Sequence, residues 1–273
     1  MAGFESRILG RTGLKVGPLG VGCGYGGSEE AFEEAFERGC NYFCLDNRRK
    51  GAAMVRAIKN ICQRGGRDEL VIVLQGYTRW AGMMESRFQK GLRTLGLESA
   101  DVLILGARSR PPSARLMERA LAMKEKGLFR FLGLSGHNRS LFPRLAATGD
   151  FDLFHVRYNA AHRGAEEEVF PHLGGEGRPG LATYTATRWG ALLKPRRMPP
   201  GQNPPPAADC YRFVLAQEAV DVCLTGPRNL VQMREALRAL ELGPLEAEEM
   251  ERMRRIGDHV YARGKRFGEG LLW

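Results

Sequence analysis

The chain has no long apolar run, no paired-cysteine motif and no block of like charge, and each absence removes a class of protein. Nothing approaches the ~18 consecutive apolar residues of a membrane span, so no membrane partner is expected. The start, Met1-Ala2-Gly3-Phe4-Glu5-Ser6, lacks the basic and apolar regions of a secretory signal, and a cytoplasmic protein is expected. The six cysteines (Cys23, Cys40, Cys44, Cys62, Cys210 and Cys223) form no Cys-x-x-Cys pair. That spacing argues against a zinc or iron–sulfur site and for reduced thiols, most of them small buried hydrophobes. Histidine is also scarce, at five residues without ligand spacing, so no metal is expected. The net charge of +10 is dispersed, and no zinc-finger, RNA-recognition or basic-zipper signature is present. Nucleic acid is therefore not an expected partner, whereas a small anionic ligand needs only a few of these arginines.

What the chain does have is a regular alternation of short β-rich apolar runs and amphipathic stretches. Strands are predicted at 18–23, 41–44, 70–75, 101–105, 129–135, 151–156, 181–184 and 220–224. Helices are predicted at 28–38, 50–64, 82–95, 113–125, 139–148, 165–173, 207–217 and 229–240. Ser28 followed by Glu29 and Glu30 suits the capped, positive end of a helix. Val, Ile and Leu run through the strands without polar alternation, the pattern of strands buried on both faces. Eight such units in 273 residues fit one closed barrel of about 250 residues. The expected fold is α/β, a single (β/α)8 TIM barrel with an N-terminal β-hairpin, and a single domain over 1–273. The hairpin is 8–16, with Arg11-Thr12-Gly13 at its turn. The stretch 195–206 holds six prolines, is not expected to form a regular element, and reads as a lid or a solvated loop. A last helix near 246–261 and the apolar end Leu271-Leu272-Trp273 would dock on the barrel or on a partner, a homo-oligomer being one such arrangement.

Several segments stand in a telling order. They are Ile8 to Val16, Leu19-Gly20-Val21-Gly22, Gly39-Cys40-Asn41-Tyr42-Phe43, Lys126 to Ser135, Arg157-Tyr158-Asn159, Tyr184 with Leu192-Leu193, and Val222 to Arg228. In order and spacing they resemble the aldo-keto reductases over nearly the whole chain. The resemblance implies a barrel that reduces carbonyls with NADPH, using an Asp, Tyr, Lys and His at the ends of strands two to four. The corresponding positions hold Cys44, Arg49, Gln75 and Gly106. None of these supplies a phenolic proton, and a guanidinium stays protonated, so an atypical active site is expected. Residues two apart on a strand face the same way. Asp46, Tyr77, Arg108 and His137 therefore stand one step nearer the mouth and are candidates for a migrated site; the alternative is a rim that is simply polar.

For the cofactor, Ser135 matches the serine at the nicotinamide carboxamide, and His155 stands at the place of a glutamine. Gly136 replaces an asparagine and Ala236 another. Tyr184 matches the ring that stacks on nicotinamide, or else packs under the proline-rich loop. Thr225, Gly226 and Arg228 fall where the family grips the adenosine phosphates, a competent phosphate site at a helix start. Arg48, Arg49, Arg79, Arg108, Arg110, Arg139, Arg157, Arg163 and Arg188 all fall in strand-to-helix loops, the face where barrels build sites; about half are expected to pair with acids. His137 is placed near Tyr158 or His162, giving an imidazole and a phenol for proton transfer, although Asn138 beside it could simply cap the fifth helix. The catalytic candidates are thus His137, Tyr158, Asp46, Tyr77 and Arg49. The expected function is an NADP(H)-linked oxidoreductase acting on a small anionic substrate. The alternatives are a barrel turned to lyase- or isomerase-type acid–base chemistry, and a non-catalytic small-molecule-binding protein.

Overall fold

The structure, a computed structural model, describes residues 3–46 and 49–266. Arg48 and the apolar end at 271–273 lie outside the described residues. Among the described residues eight parallel strands close into a barrel: β3 (Leu19–Gly22), β4 (Tyr42–Leu45), β5 (Val71–Gly76), β6 (Ala100–Arg108), β7 (Phe129–Gly136), β8 (Leu153–Arg157), β9 (Gly180–Tyr184) and β10 (Val222–Thr225). Before them, β1 (Arg7–Ile8) and β2 (Lys15–Val16) pair antiparallel. The surrounding layer is α1 (Glu29–Glu37), α2 (Ala52–Gln63), α3 (Ala81–Leu95), α4 (Ala114–Glu125), α5 (Leu141–Ala146), α6 (Ala165–Glu168), α7 (Ala207–Leu215), α8 (Leu230–Leu242) and α9 (Ala247–Arg266). No helix among the described residues is long and apolar enough to cross a membrane.

Alternation along each strand makes two cores. Tyr42, Cys44, Val71, Val73, Val102, Ile104, Leu153, Ala182 and Val222 point inward and fill the barrel. Phe43, Leu45, Ile72, Leu103, Leu132 and Phe154 point outward and meet the helices. Full burial of one such side chain is worth roughly 1.5–3 kcal/mol. Leu9, at the end of β1, is fully buried in the inner cluster, so the hairpin stops the N-terminal end of the barrel. Gly10 and Gly180 allow this: a methyl on Gly10 would meet the Gly180 nitrogen at 2.3 Å, and one on Gly180 would meet Leu9 at 2.7 Å.

Three aspartates clasp neighbouring strands at the same end. Asp101, Asp152 and Asp221 accept the amides of Ile72, Leu132 and Leu181, each at 2.8 Å. Each also meets a cation, most tightly Arg178 on the fully buried Asp221. With that end closed by a plug and ion pairs, the opposite end is left for a site.

The helix layer departs from expectation in three places. Pro171 cannot continue a helix, so 165–173 divides into α6 and a 3-10 turn at Phe170–His172. The proline-rich stretch does contain a regular turn, Pro195–Arg197, and then lies against the protein: Met198 is buried and Asn203 O accepts from Arg252. Asn138 does not cap α5 through its side chain, whose amide nitrogen instead donates to Ser109 O. Helix α9 docks on the molecule itself, where Met253, Ile256 and Val260 are buried.

Candidate functional site

The inward alternation continues past the strand ends and sets the floor and wall of a cavity of about 1660 Å³ at the C-terminal mouth. Cys44 on β4 is followed two residues on by Asp46, Gln75 on β5 by Tyr77, and Ser135 on β7 by His137; all six line the cavity, as do His155 and Tyr184. The volume exceeds the roughly 300–1,000 Å³ of an ordinary one-ligand pocket. The cavity extends from the mouth over the facing surfaces of α1 and α8, where Glu34 and Arg234 line it.

Tyr77 takes the space that Gly106 leaves. A methyl on Gly106 would come within 2.9 Å of the Tyr77 ring and of the Gln75 amide nitrogen. Tyr77 keeps 52% of its surface in solvent, and among the described residues its hydroxyl has no hydrogen-bond partner. Its pKa is raised, first by loss of water and then by the Asp46 carboxylate. The phenol therefore keeps its proton across the useful pH range. Asp46 folds back over the end of β3, accepting from Cys23 Sγ at 3.2 Å and leaving no room for a side chain at Gly24.

On the next strands Tyr184 is held in place. Its hydroxyl donates to Gly136 O at 2.7 Å and lies 3.1 Å from His137 Nδ1, with the two rings edge to face. The His137 pKa is lowered by burial and then by Arg157, so its imidazole is neutral at neutral pH. Three residues of the loop after β9 adopt left-handed backbone although bulky or β-branched, Thr185 at φ 65°, Arg188 at φ 50° and Trp189 at φ 51°. Such strain collects at functional sites. His155 sits deeper, 1% exposed, with Nε2 at 2.8 Å from the Tyr42 hydroxyl; burial pushes its pKa down to about 3. Its Nε2 is thus committed to Tyr42, leaving Nδ1 alone for a ligand.

At the other end of the cavity stand Thr225, Gly226 and Arg228. Thr225 is buried, and among the described residues its hydroxyl has no hydrogen-bond partner. Tyr25 packs under Gly226, where a methyl would meet its ring at 2.8 Å, and the Arg228 guanidinium lies 5.6 Å from the same ring centre. Asn229 and Gln232 cap α8 reciprocally: Asn229 Oδ1 accepts from Gln232 N, and Gln232 Oε1 accepts from Arg228 N. The Leu230 and Val231 amides, in the first turn, have no carbonyl within the helix to bond. Together these make a place for phosphate oxygens.

Two candidates lie elsewhere. Tyr158 faces away from the mouth, fully buried, with its ring stacked on Phe213 and its hydroxyl donating to Glu166 at 2.5 Å. Arg49 is exposed and does not line the cavity. Among the rim arginines, Arg139 and Arg163 pair with Glu168 and Asp258, while Arg108 and Arg188 donate to the carbonyls of Thr78 and Val260. Tyr25 was not singled out from the sequence, yet it lies in a legible signal, the loop Cys23-Gly24-Tyr25-Gly26-Gly27 right after a strand.

The fold is similar to that of aldo-keto reductase AKR11C1 from Bacillus halodurans. For the holo form the TM-score is 0.76 at 18% identity, over 93% of this chain and 96% of that one. For the apo form it is 0.74 at 19% identity, over the same shares. At this identity the likeness is one of fold. No protein-family model matches the sequence, and no curated protein does.

Proposed function

We propose that this protein is an NADP(H)-linked oxidoreductase of aldo-keto-reductase type that acts on a small anionic carbonyl substrate through a relocated proton donor, Tyr77. The observation that carries the reading is the Tyr77 ring filling the space over Gly106 beside the Gln75 amide, with its hydroxyl making no hydrogen bond among the described residues. The cavity suits a dinucleotide at its phosphate end, where the buried Thr225 hydroxyl has no partner among the described residues and the Arg228 guanidinium lies over Tyr25. Thr225, Gly226, Arg228 and the α8 amides would hold the phosphates, with Ser135 and Tyr184 bordering the nicotinamide. Bound there, the cofactor supplies or accepts a hydride.

The chain's own groups supply the rest. Tyr77 Oη donates a hydrogen bond to the substrate carbonyl oxygen and its proton to the oxygen as charge develops. An alkoxide is more basic than a phenolate, so this transfer runs downhill even from a phenol of raised pKa. The clamped Tyr184 keeps a flat apolar surface in the cavity, and neutral His137 contributes a nitrogen without adding positive charge.

The test is NADPH binding by fluorescence titration, followed by turnover on a panel of small oxo-acids. Micromolar binding that weakens tenfold or more in Arg228→Ala is expected. Tyr77→Phe should keep the binding and lose about 10²–10⁴-fold in turnover, the usual share of one proton donor. No binding at millimolar NADPH would overturn the redox reading. The hydrogen-bonded His137–Tyr184 pair would then favour acid–base chemistry without hydride transfer.

A further inference from the structure

Strand β8 ends with two residues on the barrel-facing side, His155 and, one step nearer the mouth, Arg157. His155 is sealed against Tyr42. Arg157 is half-buried, and among the described residues it has neither a hydrogen bond nor an ion pair. Its surroundings do not neutralise it. Arg139, His137 and His162 lie near it with the phenols of Tyr184 and Tyr261. The acids of the adjoining segments pair elsewhere: Glu168 with Arg139, Asp258 with Arg163, and Glu166 with Tyr158 and Arg254. Holding an unbalanced guanidinium partly out of water is costly unless an anion completes it. A guanidinium fork matches a carboxylate or phosphate in shape as well as charge.

The position is apt. Arg157 does not itself line the cavity but stands at its border, in register with Tyr184, whose hydroxyl touches His137; Tyr184 and His137 do line it. β8 stands three strands around the barrel from β5, the strand that leads to Tyr77. A small molecule with its oxyanion at Arg157 extends its other end across the mouth.

We propose that Arg157, with His137 beside it, forms an oxyanion subsite that takes the carboxylate or phosphate group of the substrate at the β7–β8 edge of the cavity. The substrate class is then a small carbonyl compound bearing one such group, with the carbonyl directed toward Tyr77. This rests on the proposed function for the reacting group; the oxyanion itself is bound with or without cofactor.

The test is calorimetry at low ionic strength on cofactor-free protein, with malonate and inorganic phosphate as separate probes. At least one probe should bind, and the tighter one tells carboxylate from phosphate. Arg157→Gln should weaken it tenfold or more, Arg157→Lys should recover part of the loss, and Arg110→Gln, at an exposed rim position, should change nothing. Phosphate held instead at the start of α8 would ignore Arg157→Gln. Equal binding by wild type and Arg157→Gln overturns the proposal, as does no binding of either probe. Imidazole NMR of the wild type guards against a variant that fails to fold: saturating probe should shift the His137 resonances, and unmoved resonances overturn the proposal. NADPH titrated into the same proteins separates the two readings. Wild type that binds NADPH but neither probe sinks the subsite alone; wild type that binds a probe through Arg157 but no NADPH sinks the redox reading alone.

Discussion

Acid should unfold this protein through His155. An exposed imidazole titrates near 6.5, whereas burial holds His155 down to about 3. Between those values the unfolded chain binds a proton that the native chain refuses, so stability falls as pH drops below 6.5. At about pH 5 the gap is roughly 1.5 pH units, which at 1.36 kcal/mol per unit is about 2 kcal/mol from this residue. At about pH 7.5 the same residue contributes almost nothing to the slope. The measurement is urea unfolding at both pH values for wild type and His155→Gln. Glutamine retains a polar atom for the Tyr42 hydroxyl and does not titrate. The variant starts at a different stability, but only the change with pH matters. Wild type should lose about 2 kcal/mol more than the variant between the two pH values. His162, whose pKa is also pushed down to about 3, titrates in both proteins and cancels. Equal losses, within about 0.5 kcal/mol, would refute the reasoning. They would mean that His155 is hydrated or protonated in the native barrel.

Three further outcomes are expected. Asp221→Ala leaves Arg178 without its counter-charge and the Leu181 amide without an acceptor, and should cost about 3–5 kcal/mol in urea unfolding; a loss below about 1 kcal/mol would mean that water replaces the clasp. Gly106→Ala places a methyl 2.9 Å from the Tyr77 ring, whose exposed position lets it swing aside, so stability should hold while turnover falls about 10²-fold; unchanged steady-state rates would remove Tyr77 from the chemistry. Gly257→Ala sets a methyl 2.0 Å from the Ala160 carbonyl oxygen, a backbone atom that cannot step aside. It should lift α9 and cost about 1–3 kcal/mol, read as a lower urea midpoint; an unaltered midpoint would show the helix free to slide.

The barrel was legible because its signals are local. Strand runs, Ser28 as a cap and the prolines at element edges all act within a few residues, and Ser28 does accept from Ala31 N. The aspartate clasps were not legible. Asp101, Asp152 and Asp221 each serve an amide 20 to 40 residues away, and nothing near them in sequence marks the partner. The break after α6 was available in principle, because Pro171 stands inside the predicted helix 165–173.

For the site, one geometric rule explains both the gains and the loss. Side chains two apart share a strand face, and that spacing carried Asp46, Tyr77 and His137 to the cavity. The same parity excludes Tyr158, which is one residue from Arg157 and so faces the helices. Its place in a dense polar grouping suggested otherwise, and proximity in sequence is a weaker guide than parity. Arg49 follows β4 by four residues, beyond the reach of strand geometry. What no sequence rule supplies is the loop after β9. Thr185 and Trp189 stand in a backbone region that side chains of their kind avoid, so local propensity points away from the observed path. Asn159 enforces it from outside: fully buried, it donates to Thr185 O at 2.9 Å and accepts from Ala161 N at 3.0 Å. The asparagine beside Tyr158 thus acts on the cavity without entering it, by fixing the backbone that carries Tyr184 into the loop.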